Sequence, residues 1–272
     1  MLDLRNISLI CVESRNPKLA KFSIDQCLRH ANFGECILLT SKNFDLPNYI
    51  NQILIPDIDS TRDYSHFMIN EVHKYFDLDY VLIIQWDGFV LSSQCWRDEF
   101  FKFDYIGAPW IQRGIVGNGG FSLRSKKLCK ILAGLKVKET HPEDLVICTV
   151  LRNDLENKYG LNFAPFDIAK LFAFESEKPG HNTFGFHAIQ NFPLIFNDQE
   201  VMEIISLGEK EFVKSGHILK LIRASYKLNR FDLAEAVLKK RIEGNIGINL
   251  EGFILNMRIV IKKFMFRFRN FL

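Results

Sequence analysis

Short apolar runs alternate with segments of helical spacing through the first half of the chain. Four runs are rich in branched residues and predict buried strands, at residues 7–12, 36–40, 52–56 and 80–84. Apolar positions at helical spacing follow Pro17 and recur over residues 64–76, and they predict a helix at each place. Strands that alternate with helices predict an α/β fold with a mostly parallel, doubly wound sheet.

The pattern changes further along the chain. Three further helices are predicted, at residues 96–101, 125–135 and 141–155. Residues 163–187 are rich in aromatics and glycine, and we expect this stretch to be irregular. From about Asp198 the pattern indicates helices alone, with a helical hairpin of residues 218–228 and 233–242. The predicted parts are a main domain over 1–197, a helical extension over 198–250 and a basic aromatic tail over 251–272.

Composition is that of an ordinary globular protein. The 272 residues, of which 47% are hydrophobic and 25% charged, can bury the core of one large domain, with or without an appendage. A net charge of +3 does not by itself indicate a protein that binds nucleic acid.

The tail concentrates positive charge. From Gly252 onward there is no acid, so the remainder of the chain is mildly acidic. The five cations of the tail are Arg258, Lys262, Lys263, Arg267 and Arg269. A basic segment with many aromatic and aliphatic residues is typical of attachment to an anionic membrane surface. Helical spacing does not place the cations on one face, so a terminal helix docked on the body, with solvated charges, stays an alternative.

The cysteines and the N-terminal residues bear on the compartment. Six cysteines show no CxxC pair and no metal-binding spacing, and several lie in apolar runs as buried reduced thiols do. The first residues hold Asp3 and a brief apolar stretch, unlike a signal peptide, and no apolar run is long enough to span a membrane. We therefore expect a cytoplasmic protein, free or peripheral on the inner face of the cytoplasmic membrane.

Asp87 stands where the apolar run at residues 80–84 ends, in the sequence QWDG. Ligands of α/β sheets bind outside the carboxyl ends of the strands, so this carboxylate is placed to hold a metal-bound or phosphate-bearing ligand. Asp-Gly between apolar runs is also a common signal for a β-hairpin turn. The stretch by itself leaves both interpretations open.

Three further motifs also have two interpretations each. The sequence GNGG at residues 117–120 can offer backbone N–H groups to a ligand or form a plain tight turn. In HPED at residues 141–144, two acids can supply a general base or can complement the dipole at a helix N-terminus. His187 can be a metal ligand or an ordinary core residue.

Taken in order, the motifs resemble a known family. The segments that carry the resemblance are QWDGFVL, FDYIGAPW, VGNGGFSLRS, HPEDLVIC, FAPFDIAKLFAFE and TFGFH, with VESRNP and DYSHF before them. They closely resemble an uncharacterised, mainly bacterial family of GT-A-type glycosyltransferase-like proteins, over roughly residues 7–192. The resemblance implies a GT-A-like, Rossmann-like domain that binds a nucleotide sugar, with UDP-sugars favoured.

On the donor side, the resemblance implies that Asp87 stands for the last aspartate of a motif that binds the donor diphosphate and a divalent metal, Mn²⁺ or Mg²⁺. His187 matches a histidine that completes such a metal site. Gln85 stands where an acid is usual and brings no charge, so it implies a weak metal site or, with Trp86, a contact to the donor. The candidates for the nucleobase and ribose are Glu13, Tyr64 and Ser65.

On the acceptor side, the resemblance implies that Asp144 is the general base of an inverting transfer and that Glu143 orients it or holds an acceptor hydroxyl. The residues expected to line the acceptor-sugar pocket are Trp110, Asn118, Gly119 and Gly120. The implied function is transfer of a sugar to a hydroxyl of a glycan or glycolipid. A non-catalytic protein of the same fold that binds nucleotide sugars or carbohydrates is the alternative.

Overall fold

The computed structural model describes residues 1–176, 182–244, 257 and 259–263. The chain divides into two compact units, Met1–His187 and Ala188–Leu272. The first unit ends before residue 197, where the sequence suggested a boundary. The reason is that the 3-10 turn Ile189–Asn191 contacts the long helix Gly216–Lys227 of the second unit.

The first unit contains the strands and six α-helices of the described part of the chain. The strands are β1 (Leu2–Val12), β2 (Ala31–Thr40), β3 (Asn51–Leu54), β4 (Tyr80–Ile84), β5 (Gly88–Val90), β6 (Tyr105–Gly107), β7 (Pro109–Trp110), β8 (Ile115–Val116), β9 (Phe121–Ser125), β10 (Ala173–Phe174) and β11 (Gly185–His187). The helices are α1 (Pro17–His30), α2 (Thr61–Asn70), α3 (Lys126–Gly134), α4 (Glu143–Leu145), α5 (Arg152–Tyr159) and α6 (Phe166–Phe172).

Six strands form the central sheet, in the order β3-β2-β1-β4-β9-β6. β1 pairs in parallel with both β2 and β4, and β3 pairs in parallel with β2. β9 runs antiparallel to β4 and to β6. This mixed, mostly parallel sheet with helices confirms the predicted α/β fold class, and the four strands predicted in the first half of the chain are present.

The central sheet packs against α2 and α3 through one buried apolar cluster. Ile10, Ile37 and Val81 of the sheet meet Phe67 of α2 and Cys129 of α3 there, and each is at most 6% exposed. Burying one such large side chain stabilises the fold by about 1.5–3 kcal/mol. The helix ends follow local chemistry as well: Ser60 and Asp63 form a capping box that starts α2.

The turn at Asp87 is not the hairpin that Asp-Gly suggested. β4 pairs with β1 and β9 in the central sheet, whereas β5 pairs with β11 in a separate sheet of order β10-β11-β5. The turn therefore carries the chain from one sheet to another. A turn of this length can join two strands of a hairpin or connect strands of different sheets, because strand pairing depends on partners far along the chain.

Residues 163–187, expected to be irregular, contain α6, β10 and β11 over their described part. The phenylalanines explain the order, since Phe172, Phe184 and Phe186 are fully buried. The helix predicted over residues 96–101 is instead the 3-10 turn Asp98–Lys102, and a separate 3-10 turn, Ser93–Cys95, precedes it.

Two other predicted helices are interrupted. Residues 64–76 divide into α2 and the 3-10 turn Val72–Lys74. Residues 141–155 divide into α4, the π turn Val146–Val150 and α5.

The second unit is helical over its described residues. Its helices are α7 (Phe192–Ile195), α8 (Asp198–Ser206), α9 (Gly216–Lys227) and α10 (Phe231–Glu243). α9 and α10 form the predicted hairpin, with Asn229 in the left-handed region at φ 60° in the turn. Of the predicted tail, residues 257 and 259–263 are described and helical, and the rest lies outside the described residues. Among the described helices, none is both long and apolar enough to cross a membrane.

Candidate active site

The candidate site lies at the carboxyl ends of the parallel strands β1 and β4. Glu13 follows β1 and Asp87 follows β4, so both come to the same edge of the sheet. β9 runs the other way, and the glycines that precede it therefore arrive at that edge too. The backbone N–H of Gln85 donates a 2.8 Å hydrogen bond to the carbonyl of Gly120.

The turn that carries Asp87 is fixed on both sides. The N–H of Gly88 donates to the carbonyl of Gln85 at 3.0 Å, and the hydroxyl of Ser23 in α1 donates to the carbonyl of Trp86 at 2.6 Å. Asp87 itself is 2% exposed. A carboxylate held this rigidly and this deeply requires a cationic partner.

His187 supplies that partner in the histidine cluster, which consists of Asp87, Glu175 and His187. Its Nε2 lies 3.3 Å from Oδ1 of Asp87, and its Nδ1 lies 3.5 Å from Oε1 of Glu175. Burial lowers the pKa of His187, but the two carboxylates outweigh burial and raise the pKa to about 10. The imidazole is therefore a cation at neutral pH.

Two amide side chains complete the surroundings of the imidazole. Oε1 of Gln85 lies 3.1 Å from Nε2 of His187, and the amide nitrogen Nδ2 of Asn118 lies 3.0 Å from Nδ1 of His187. Asn118 adopts the left-handed backbone region with φ 54°, which asparagine tolerates better than most residues. The predicted residues Gln85, Asp87, Asn118 and His187 are thus brought together.

The predicted metal ligands Asp87 and His187 contact each other directly. An imidazolium carries a proton on each nitrogen, so His187 would bind a metal only after it releases a proton, and its role as a metal ligand stays a prediction. Within the described ranges, no group of three or more His, Cys, Asp and Glu side chains is arranged to hold a metal ion. The oxygens of Asp87, Glu175 and Gln85 are nevertheless the hard donors that Mn²⁺ and Mg²⁺ prefer.

A second group of charges, the arginine cluster, consists of Arg124, Glu143 and Asp144. Arg124 belongs to β9 and its side chain is fully buried, yet its Nη2 lies 2.8 Å from Oε1 of Glu143. Its Nε donates to the hydroxyl of Ser122 at 3.0 Å, and its guanidinium lies 5.3 Å from the centre of the Tyr105 ring. The positive charge of Arg124 thereby balances the negative charge of Glu143 inside the protein.

Asp144, the next residue, is in a different position. Its side chain is half-buried, and its Oδ1 accepts a 2.8 Å hydrogen bond from the N–H of Leu145. Burial and the neighbouring Glu143 raise the pKa of Asp144, while Arg124 and two backbone N–H groups oppose that rise. A carboxylate with a raised pKa and access to solvent is suited to take a proton.

The glycine-rich segment separates the two clusters and allows both to approach it closely. A Cβ on Gly119 would lie 1.9 Å from Oε1 of Glu143, and a Cβ on Gly120 would lie 2.2 Å from Nε2 of His187. A Cβ on Gly117 would lie 2.3 Å from the ring of Trp110. These glycines are therefore required for close approach by side chains of the same chain.

The remaining predicted residues hold loops near the site. Oε1 of Glu13 accepts hydrogen bonds from the N–H groups of Arg15 and Asn16, at 2.6 and 3.0 Å. The hydroxyl of Ser65 lies 2.9 Å from Nδ1 of His141 and so joins α2 to the HPED segment. Burial, followed by Glu143, raises the pKa of the Tyr64 phenol well above its ordinary value. Roles for Glu13, Tyr64 and Ser65 toward a nucleobase or ribose stay predictions.

Sequence reasoning missed Arg124 and Glu175. Both lie in the quoted motifs, in VGNGGFSLRS and in FAPFDIAKLFAFE. An arginine within an apolar strand was a usable signal, because a buried cation needs an acid nearby. Glu175, the acid that ends FAFE, was a weaker signal, since many strands end in a polar residue.

Two solved structures have weak likeness to this chain. The apo-form glycosyltransferase GlyE of Streptococcus pneumoniae TIGR4 is 14% identical, with a TM-score of 0.39 over 66% of this chain and 53% of that chain. This chain thus spans about half the length of that protein. Mannosyltransferase PcManGT from Pyrobaculum calidifontis, in complex with GDP-Man and Mn²⁺, is 9% identical, with a TM-score of 0.39 over 96% of this chain and 87% of that chain. Likeness at this level carries no argument about activity.

Sequence comparison identifies a family. No curated protein matches the chain. The family described as Protein of unknown function (DUF5672) matches residues 50–187, which is just over half of the chain and includes both charged clusters. The protein belongs to the DUF5672 family.

Proposed function

We propose that this protein is a glycosyltransferase that moves a sugar from a nucleotide-sugar donor to a hydroxyl of a glycan or glycolipid. One observation carries the proposal: the histidine cluster and the arginine cluster lie against adjacent glycines, Gly119 and Gly120, at the carboxyl edge of the sheet. One cluster can meet a charged leaving group and the other can supply a base. Those are the two requirements of the transfer.

The donor side is assigned to the histidine cluster. A nucleoside diphosphate leaving group needs its negative charge offset. His187 carries one positive charge, but Asp87 and Glu175 leave the cluster with a net negative charge, so a further cation is needed beside the diphosphate. The carboxylates of Asp87 and Glu175 would hold a Mn²⁺ or Mg²⁺ ion, which when bound neutralises charge on the diphosphate. Gln85 and Trp86 would contact the donor at the same turn.

The acceptor side is assigned to Asp144. Of the two adjacent acids, Glu143 is ion-paired with Arg124 and only 8% of its side chain is exposed, which leaves Asp144 as the acid able to reach a bound hydroxyl. Asp144 would accept the hydroxyl proton as the acceptor oxygen attacks the sugar, and attack on the face opposite the leaving group gives inversion. Trp110, whose ring lies against Gly117 with the Arg113 guanidinium 5.3 Å from the ring centre, would line the acceptor-sugar pocket.

The decisive experiment measures nucleotide release from UDP-, GDP- and CMP-sugars by the purified full chain, with and without Mn²⁺ and with candidate acceptors. We expect release with one donor class and its loss in Asp144→Asn, whose donor affinity should stay within about twofold of wild type. Donor binding without turnover, for every acceptor offered, would favour the non-catalytic binding protein. No binding of any nucleotide sugar would refute both.

We further propose that the protein works at the inner face of the cytoplasmic membrane and contacts it through the tail. The described turn of the tail presents two faces. Ile259 is buried and Nζ of Lys263 lies 2.6 Å from Asp232 of α10, which supports docking on the second unit. The exposed apolar side chains of this turn are Met257, Val260 and Ile261, each about half exposed. These three are available to enter a lipid surface.

Deletion after Gly252 tests the tail. We expect the truncated chain to sediment less than the full chain with vesicles that contain phosphatidylglycerol. A triple change of Met257, Val260 and Ile261 to serine keeps the docked face and should reduce sedimentation to a similar extent. Equal sedimentation of all three proteins would refute the membrane contact.

A further inference from the structure

An open groove of about 640 Å³ lies at the ends of α2 and α3, and none of its residues belongs to the proposed active site. Its polar walls carry three lysines, two histidines and one acid: Lys74, Lys130, Lys136, His66, His73 and Glu71. We call it the lysine groove. Its volume lies in the range of pockets that bind small ligands, about 300–1,000 Å³.

The lysines belong to a dense run of positive charge. Residues 126–138, which form α3 and the segment after it, contain no acid. The lysines of this run are Lys126, Lys127, Lys130, Lys136 and Lys138. The run holds as many cations as the predicted tail in a shorter stretch. This local excess of positive charge is not apparent from the low net charge of the whole chain.

Nearby acids do not neutralise the groove. Lys74 pairs with Glu71, and Nζ of Lys126 lies 3.5 Å from Asp77. Within the part of the chain that the structure describes, Lys130 and Lys136 form no ion pair. These two lysines face a groove that holds one acid, and that acid is already paired.

The lysines of the groove affect the pKa of the neighbouring His73. Burial lowers the pKa of His73, and Lys74, Lys126 and Lys130 lower it further, while Glu71 opposes them. Its Nδ1 is buried and has no hydrogen-bond partner among the described residues. Because this atom is buried, the lysine ammonium groups are the contacts that the groove offers to an anionic ligand.

The two helix ends offset part of this charge. α2 and α3 both end at the groove, and neither has a basic residue in its last turn. Each helix end carries about half a negative elementary charge. Two helix ends therefore offset about one lysine, which leaves the groove positive after the ion pairs are counted.

We infer that the lysine groove binds a phosphate group of an anionic ligand. Lysine ammonium groups bind phosphate as point charges and do not require a fixed planar geometry, which suits an open groove with flexible side chains. The phosphate can belong to a soluble phosphate ester or to a phospholipid headgroup. The inference does not depend on the proposed glycosyl transfer, because it concerns a different surface and is tested by binding.

The experiment uses the full chain without divalent ions and two probes. Inorganic pyrophosphate is titrated calorimetrically, and vesicles of phosphatidylcholine with or without phosphatidylglycerol are used in sedimentation. We expect Lys130→Gln with Lys136→Gln to weaken binding of at least one probe about tenfold. The matched control, Lys220→Gln with Lys227→Gln on α9, removes the same charge from exposed positions elsewhere and should leave binding within about twofold of wild type.

If the lysine variant fails to fold, a variant that removes negative charge from the groove provides a second test. Glu71→Gln removes the acid of the groove and should strengthen binding about threefold. Loss for pyrophosphate assigns the groove to soluble phosphate esters, and loss for vesicles alone assigns it to headgroups. The inference is overturned if neither probe binds, if the control pair loses as much as the groove pair, or if Glu71→Gln leaves affinity unchanged.

Discussion

Arg124 and Glu143 form an ion pair inside the protein, with Nη2 of the arginine 2.8 Å from Oε1 of the glutamate and 0% and 8% of the two side chains exposed. Each charge would be costly to bury alone, so each requires the other. The pair also decides which of two adjacent acids can react. Glu143 is held by the arginine, and Asp144 is left beside it with a raised pKa.

The first prediction concerns the stability of this pair. Arg124→Met leaves Glu143 buried without its cation and should lower the free energy of unfolding by about 3–5 kcal/mol. Adding Glu143→Gln removes the unpaired charge and should recover more than half of that loss. Urea unfolding of the two single variants and the double variant measures the coupling. Additive losses would show that the pair is not coupled.

The second prediction concerns the two glycines between the clusters. Gly119→Ala and Gly120→Ala would force a Cβ against Glu143 and His187, and each should lower stability by about 1–3 kcal/mol. The matched control is Gly134→Ala near the end of α3, where a Cβ meets no atom within 4 Å. This change should be neutral or stabilising by up to about 1 kcal/mol. Thermal unfolding separates the cases, and equal effects at all three glycines would contradict the close approach.

The third prediction concerns Asp144 and pH. Its folded pKa is raised, so the native state binds more protons than the unfolded state between the unfolded and folded pKa values, and stability falls as pH rises through that window. Asp144→Asn should therefore raise the free energy of unfolding at pH 7, by less than about 1 kcal/mol because the side chain is half-exposed to solvent. The same variant should abolish turnover.

In wild type, kcat/KM should fall on the acid side as Asp144 takes up a proton, with a midpoint above the ordinary aspartate pKa. Denaturant unfolding at pH 7 and a pH–rate profile measure the two effects. A variant that is both inactive and destabilised would point to a structural role for Asp144.

The fourth prediction concerns the metal. Removing divalent ions with EDTA should weaken nucleotide-sugar binding at least tenfold, and Mn²⁺ should restore it. Asp87→Asn should abolish the Mn²⁺ effect, because it removes one of the oxygen donors and its charge. Asp98→Asn, on the 3-10 turn after β5, is an acid control outside the histidine cluster and should behave as wild type. Equal binding with EDTA and with Mn²⁺ would show that the donor is held without a metal.

Sequence patterns predicted the central strands well because strands buried on both faces need continuous apolar runs. The runs ending at Val12, Thr40 and Ile84 all became strands of one sheet. The helical hairpin was predicted for a similar reason, since its apolar positions recur at helical spacing. Elements whose order comes from tertiary packing were not predicted, and β10 and β11 are examples.

The candidate site could be predicted as a set of residues but not as an arrangement. Asp87, Asn118 and His187 do meet. Their contacts depend on pairing between strands that are far apart in the chain, which local patterns do not encode. Arg124 and Glu175 show the same limit, because a charge inside an apolar segment indicates that a partner exists without indicating which.

The pairing of β5 with β11 restricts where insertions and deletions can occur in this chain. His187 is paired with Gly88, and the rings of Phe89 and Phe186 meet edge-on with centroids 4.6 Å apart beside that pair. Side chains alternate between the faces of a strand, so inserting or deleting a single residue in β11 would turn the imidazole to the opposite side. Natural relatives with a working site should therefore differ in length in the loops and keep the spacing of these two short strands constant.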